Sequence, residues 1–271
     1  MIFVRNVNYT YMTGTPFEKT ALKNISFDVA EGEVLAIAGH TGSGKSTLIQ
    51  IVAGLIELQS GAVEIDGLSV ADKKIRRLVG IVFQYPEHQL FEETVELDIA
   101  FAPKNFGLSE TEISARVEEA MRQVGLDAEL KKSSPFELSG GQRRRVAIAG
   151  ILALKPKYLI LDEPTAGLDP LAKENLLKEI FGVIKKSGVT IILVSHNMED
   201  IARFANRVIV LAQGEILFNG TPRELFAREE ILARAGLESP PITQLLRFLN
   251  VNKQALTLDE AEKIILSQWK A

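Results

Sequence analysis

Apolar and polar residues alternate along residues 2–11 and again along 22–29. A period of two predicts half-buried strands, and Gly14-Thr15-Pro16 between them predicts the turn of an antiparallel pair. Val34–Ala38 is different: an unbroken apolar run bounded by glycines, which predicts a buried strand. Further strands are predicted at 63–67, 79–83, 158–161 and 190–194. Residues 208–211 and 215–218, joined by Ala212-Gln213-Gly214, predict a hairpin. A helical period intervenes. Ser109 and Glu112 form a capping-box pattern, Ile113, Val117, Ala120, Met121 and Val124 share one face, and Gly125 ends the helix. Strands alternating with helices predict an α/β fold with a largely parallel sheet and helices on both faces. After about Thr221 the pattern is helical only. Ile242, Leu245, Leu246 and Leu249 follow the i, i+3, i+4, i+7 spacing, and Pro240-Pro241 marks a break before them. Thr257 and Glu260 cap a last segment carrying Leu258, Ala261, Ile265 and Trp269.

Bulk properties narrow the class. A length of 271 residues is enough for one large α/β domain with a modest extension. The net charge of -4 does not suggest a nucleic-acid binder. The absence of cysteine excludes disulfides and cysteine metal sites and suits a reducing cytoplasm. Met1-Ile2-Phe3-Val4-Arg5 lacks the build of a signal peptide. The longest apolar run, residues 146–154, falls short of the roughly 18 residues that cross a membrane. The expectation is a soluble chain that takes any membrane-spanning part from a partner.

Chemistry concentrates in a few short stretches. Gly39-His40-Thr41-Gly42-Ser43-Gly44-Lys45-Ser46 follows a predicted strand and opens a helix. In that context backbone N–H groups and the helix dipole attract phosphate, Lys45 reaches the β- and γ-phosphates, and the Ser46 hydroxyl faces Mg²⁺. His40 lies inside the loop but not at a required position. Asp162 and Glu163 end a predicted strand, where carboxylates face the ligand crevice of an α/β sheet. Strand-end acids can also simply cap the next helix; the phosphate loop upstream favours Asp162 near Mg²⁺ and Glu163 as the base for an attacking water. Gln84 follows another strand, where a neutral amide can touch metal and water. Leu138-Ser139-Gly140-Gly141-Gln142 opens a helix with more exposed N–H groups, a second cradle that needs a second phosphate. The arginines that follow, Arg143, Arg144 and Arg145, are expected on a solvated helix face.

In this order, from Tyr11 to His196, the motifs resemble the nucleotide-binding subunit of ATP-binding cassette (ABC) proteins. The resemblance implies an α/β ABC ATPase cassette over residues 1–221: a RecA-like core with a mixed sheet, an antiparallel β subdomain and a helical signature subdomain at about 88–155. Residues 222–271 would be a C-terminal helical extension that serves dimerisation. ATP would be held by Tyr11, Gly39, Thr41, Gly42, Ser43, Gly44, Lys45, Ser46 and Thr47. A second subunit would add Ser139, Gly140, Gly141, Gln142 and Asp169 in trans. Tyr9 rivals Tyr11 as the aromatic stacked on adenine. Mg²⁺ would be held by Ser46, Gln84 and Asp162, and catalysis would fall to Glu163, His196 and Gln84.

Within the family, Phe83-Gln84-Tyr85-Pro86-Glu87-His88-Gln89-Leu90-Phe91 and its continuation resemble the ATPase of energy-coupling-factor importers of vitamins, cobalt or nickel. That implies a second ATPase subunit, identical or paralogous, a membrane coupling subunit met by residues 85–91, and a substrate-binding membrane subunit. It also implies a peripheral place on the cytoplasmic face of the cell membrane and no nucleic acid. The alternatives are a soluble ABC ATPase acting on nucleic acid or ribosomes, and a non-transport nucleotide switch.

Overall fold

The computed structural model describes residues 1–251 and 253–269, except the side chains of 183–187, 268 and 269. Its strands are β1 (Ile2–Tyr11), β2 (Lys19–Val29), β3 (Val34–Ala38), β4 (Ser60–Ile65), β5 (Leu68–Ser69), β6 (Val79–Val82), β7 (Tyr158–Asp162), β8 (Thr190–Val194), β9 (Arg207–Ala212) and β10 (Glu215–Gly220). Its α-helices are α1 (Lys45–Val52), α2 (Val95–Asn105), α3 (Glu110–Gln123), α4 (Gly140–Leu152), α5 (Pro170–Ser187), α6 (Met198–Phe204), α7 (Pro222–Phe226), α8 (Glu229–Ala235), α9 (Pro241–Phe248) and α10 (Leu258–Trp269). The chain forms two compact units, Met1–Ala71 with Ile192–Ala271, and Asp72–Ile191.

The first unit contains an antiparallel sheet in the order β2-β1-β4-β5. The alternation in β1 is realised: Ile2, Val4 and Val7 are buried while Arg5 and Asn6 are exposed. β3 is buried almost throughout and runs parallel to β9, which pairs antiparallel with β10. The sheet is therefore mixed. Ala36, Ala38, Val208, Val210 and Phe218 from these strands share one apolar cluster with Leu225, Phe226, Leu232 and Ala235 of α7 and α8.

The helical tail thus divides. α7 and α8 belong to the cassette's own core, and so does Leu256 between α9 and α10. α9 and α10 form a small cluster of their own around Leu246, Ala255 and Ala261. The apolar stripe of α9 splits. Leu246 and Thr243 are buried, while Leu245 and Leu249 remain exposed and Phe248 is 83% exposed. Pro240-Pro241 starts α9, because proline fits the first helical turn. Thr257 caps α10 by accepting from the Glu260 N–H at 3.3 Å. The Trp269 side chain lies outside the described residues.

In the second unit β6 and β7 are parallel neighbours, and α2, α3 and α4 pack together. α3 begins at Ser109 with the full capping box, which stabilises the end by about 1 kcal/mol. Val117, Ala120 and Met121 are its buried face. No described helix is long and apolar enough to cross a membrane.

Candidate functional site

In the first unit, β3 delivers the chain into the loop 39–46. Gly39 and Gly44 have φ of 148° and 109°, and neither tolerates a Cβ. At Gly39 it would lie 2.3 Å from the Leu211 carbonyl oxygen, and at Gly44 2.6 Å from that of Ala21. Glycine is required because β9 and β2 press directly on the loop. The Gly214 N–H in the β9–β10 turn donates to the Ser43 carbonyl at 3.1 Å, bracing it further. Lys45 Nζ donates to the carbonyls of Gly39 at 2.8 Å and His40 at 3.0 Å, so the ammonium closes the loop over its own backbone. Thr41, Gly42 and Ser46 are exposed, and a Cβ at Gly42 would meet nothing within 4 Å. The Ser43 hydroxyl is fully buried without a hydrogen-bond partner. A tight, braced loop with an open mouth at a helix N-terminus fits a phosphate chain.

Tyr11 stands beside this loop. Its hydroxyl is 3.0 Å from Thr47 Oγ1, which ties the end of β1 to the first turn of α1. Tyr9 packs edge-on against Tyr11 with ring centroids 4.9 Å apart. Tyr11 is the more exposed ring. His196 is exposed just past β8. Next to it, Ser195 donates its N–H to the Ile37 carbonyl at 3.4 Å, on the strand that leads to Gly39.

The second unit places Gln84 and Glu163 together across the ends of β6 and β7: Gln84 Nε2 donates to Glu163 Oε2 at 3.2 Å. Asp162 is the last residue of β7. Glu163 is half-buried and holds φ of 46°, an uncommon conformation for a residue with a Cβ. The donors proposed for Mg²⁺, the Ser46 hydroxyl, the Gln84 amide and the Asp162 carboxylate, are hard oxygen ligands. Mg²⁺ commonly binds one or two carboxylates together with substrate phosphates.

Ser139 caps α4, accepting from the Gln142 N–H at 3.3 Å while Gln142 Oε1 accepts from the Ser139 N–H at 3.0 Å. Gly140 and Gly141 are exposed with nothing within 4 Å of a built Cβ, leaving the helix start open to an anion. Asp169 caps α5, accepting from the N–H groups of Leu171 and Ala172 at 3.0 and 2.9 Å.

The arginines after Gln142 correct the expectation of a solvated face. Arg143 donates to the Leu138 carbonyl at 2.9 Å. Arg145 bonds the Val124 carbonyl and Glu179. Arg144 is buried, paired with Glu87 through two bonds. Burial alone would raise the Glu87 carboxyl, but hydrogen bonds from Arg144 and its own backbone, with the Arg144 charge, hold it below the ordinary carboxylate value. No sequence period links Glu87 to Arg144.

The segment after Gln84 turns at Tyr85 into a short 3-10 stretch, Pro86–Gln89. Leu90 is buried, whereas Phe91 is 58% exposed and packs edge-on against Phe101 at 4.8 Å. The Asp98 carboxylate anchors this corner by accepting from the N–H groups of Phe91 at 3.4 Å and Glu92 at 3.2 Å. Burial, outweighing those bonds, raises its pKa.

Residues 22–166 match a family described as ABC transporter. The chain is similar to the energy-coupling factor transporter ATP-binding protein EcfA2 of Clostridium perfringens, with 52% identity over 98% of this chain and 97% of that one. It is similar to the EcfA2 of Caldanaerobacter subterraneus subsp. tengcongensis at 54% identity, over 98% of this chain and 96% of the relative. Among solved structures, cbiO1 of Clostridium perfringens, part of the ABC transporter complex cbiONQ, matches with a TM-score of 0.76 and 39% identity, covering 91% of this chain and 98% of the other. The ATP-binding cassette MJ0796, solved as a dimer bound to ADP and Pi, matches with a TM-score of 0.73 and 33% identity over 82% of this chain and 99% of that one.

Proposed function

Because this chain belongs to the ABC transporter ATPase family, among its energy-coupling factor ATP-binding proteins, we propose the following division of labour for its residues. The protein is an ATPase that powers a membrane importer. Likeness along nearly the whole chain to transporter subunits favours this over a soluble ATPase of nucleic acid or ribosomes and over a non-transport switch.

The loop 39–46 with Thr47 binds the phosphates of ATP, and Tyr11 stacks on adenine. Ser46, Gln84 and Asp162 hold Mg²⁺, which supplies charge neutralisation at the phosphates. Glu163 takes a proton from the attacking water, His196 contacts the γ-phosphate, and Gln84 fixes the Glu163 carboxylate. The single observation that supports this assignment is the bond from Gln84 Nε2 to Glu163 Oε2 at 3.2 Å. A neutral amide bonded to one carboxylate oxygen fixes the direction in which the carboxylate faces an attacking water.

Ser139, Gly140, Gly141, Gln142 and Asp169 serve ATP held by a second ATPase subunit, identical or paralogous. The exposed residues Leu245, Phe248, Leu249 and Leu258 of the tail contact that subunit. Residues 85–91 meet a membrane coupling subunit, joined by a substrate-binding membrane subunit for a vitamin or transition-metal ion. The chain then lies peripherally on the cytoplasmic face of the cell membrane.

Glu163→Gln is the direct test. It should retain ATP binding, accumulate an ATP-bound dimer and stop phosphate release. Turnover at the wild-type rate in this variant would refute the assignment of the base.

A further inference from the structure

Two residues other than glycine hold positive φ at the Gln84–Glu163 bond: Glu163 itself at 46°, and Tyr85, which follows Gln84, at 55°. The left-handed region costs such residues about 1–2 kcal/mol. It persists only where the surroundings over-determine it. Here those surroundings converge on one cation. The Arg144 side chain is 2% exposed. Its Nε and Nη2 donate to the two Glu87 carboxylate oxygens at 2.8 and 2.7 Å. Its Nη1 donates to the carbonyls of Ala166 at 2.8 Å and Pro164 at 3.4 Å. Its guanidinium carbon lies 5.9 Å from the Tyr85 ring centroid, and a Cβ at Gly167 would come within 3.3 Å of the same ring. The Ala166 N–H in turn donates to the Glu163 carbonyl at 3.0 Å. One side chain therefore ties the strand exit 85–87 to the turn 164–167 that follows Glu163.

We propose that Arg144 is a positioning residue for hydrolysis: it holds Glu163 in its strained orientation through the turn 164–167, and makes that orientation depend on the segment 85–91. The inference rests on the reading of Glu163 as the base. Lysine cannot substitute, because a single ammonium lacks the planar fork that spans a carboxylate and two carbonyls. A displaced segment 85–91 shifts the guanidinium, and the guanidinium shifts the turn. The effect reaches the aim of Glu163, while ATP affinity stays with the phosphate loop. Burial of an ion pair is by itself weak evidence of a stabilising role. What singles out this one is the identity of its other acceptors, two backbone carbonyls within three residues of Glu163.

The test uses the full chain with Arg144→Lys, Arg144→Met, and the double variant Glu87→Leu/Arg144→Met, in which no buried charge is left unpaired. Phosphate release at saturating ATP gives kcat, equilibrium titration with ATP gives Kd, and thermal unfolding gives Tm. In each variant kcat should fall about tenfold to a hundredfold, as expected for a reacting group displaced by about 1 Å. Kd should stay at the wild-type value. A lower Tm with unchanged kcat would make Arg144 merely structural. A parallel rise in Kd would place its effect on binding instead. Either outcome overturns the proposal. Should the methionine variants fail to fold, Arg144→Lys alone carries the same kcat-against-Kd comparison. Glu163→Gln measured alongside separates the two readings: if it hydrolyses ATP, the base assignment fails; if it is inert while the Arg144 variants turn over normally, only the positioning role fails.

Discussion

Lys45 Nζ donates to the Gly39 carbonyl at 2.8 Å, so the lysine of the phosphate loop spans the loop from its last turn to its first residue. One side chain thus shapes the cradle and carries its charge. Lys45→Ala should weaken ATP binding by about tenfold to a hundredfold, since hydrogen bonds to a charged group contribute about 1.5–3 kcal/mol. Lys45→Arg should not rescue it, because a planar fork does not fit where a compact ammonium bonds two carbonyls. Equilibrium titration with ATP decides; undiminished affinity in Lys45→Ala would refute the loop's role.

Ser139 has two tasks that substitutions can separate. As the α4 N-cap its loss costs about 0.5–2 kcal/mol of stability. As part of an exposed helix start it is proposed to face a partner's γ-phosphate. Ser139→Arg should stop turnover while sparing ATP binding to the chain's own loop. Mixing it with Lys45→Ala chains should restore at most one composite site per mixed dimer. If Ser139→Arg changed only Tm, the role in trans would be excluded.

Phe91 and Leu90 are adjacent, yet they test different things. Leu90 is buried, so a charge there disturbs folding and is a poor probe of a surface. Phe91 is exposed beside Phe101. Phe91→Asp should keep ATP binding and lose either the membrane subunit or uptake. Full uptake by an intact complex carrying this variant would remove residues 85–91 from the coupling role.

Acid should act on Glu87. Its native carboxyl sits below the ordinary value, so the unfolded chain takes up the proton first as pH falls. The stabilisation is whole above the unfolded carboxylate pKa of about 4.3 and is lost as pH drops through the native value. Thermal unfolding between about pH 6 and pH 3 should therefore show a steeper acid limb in the wild type than in Glu87→Gln. Equal slopes would show that the pair contributes nothing to acid sensitivity.

Truncation after Ser239 removes α9 and α10 with their exposed leucines and Phe248, and with them Leu256, but keeps α7, α8 and the rest of their cluster with β3 and β9. Nucleotide-free association should weaken while ATP binding persists. Size-exclusion chromatography would detect the shift; an unchanged elution would assign that face to something other than a second subunit.

The elements that sequence made legible are those with local causes. The alternation in β1, the unbroken apolar runs of β3 and β8 and the Ser109 capping box each depend on neighbours a few residues away. The glycine-rich loop between β3 and α1 was equally readable, since its pattern lies in one short stretch. The role of Arg144 was not. Its partner Glu87 lies 57 residues away, and an arginine on a polar helix start looks the same whether it meets water or a carboxylate. The α9 stripe misled for a related reason. Periodicity reveals an apolar face but not how much of it finds a partner, and here Leu246 does while Leu245 and Leu249 do not. The positive φ of Tyr85 and Glu163 likewise has no signature in residue type.

The cluster that joins α7 and α8 to β3 and β9 has a practical corollary for protein engineering. β3 ends at the phosphate loop, and the Leu211 carbonyl of β9 presses on Gly39. The first half of the tail thus packs against the strands that lead into the loop 39–46 and press on it. A fluorescent or affinity domain grafted between α7 and α8 would disturb the packing beneath the loop 39–46, and so would one that displaces Leu256, which joins the same cluster from beyond α8.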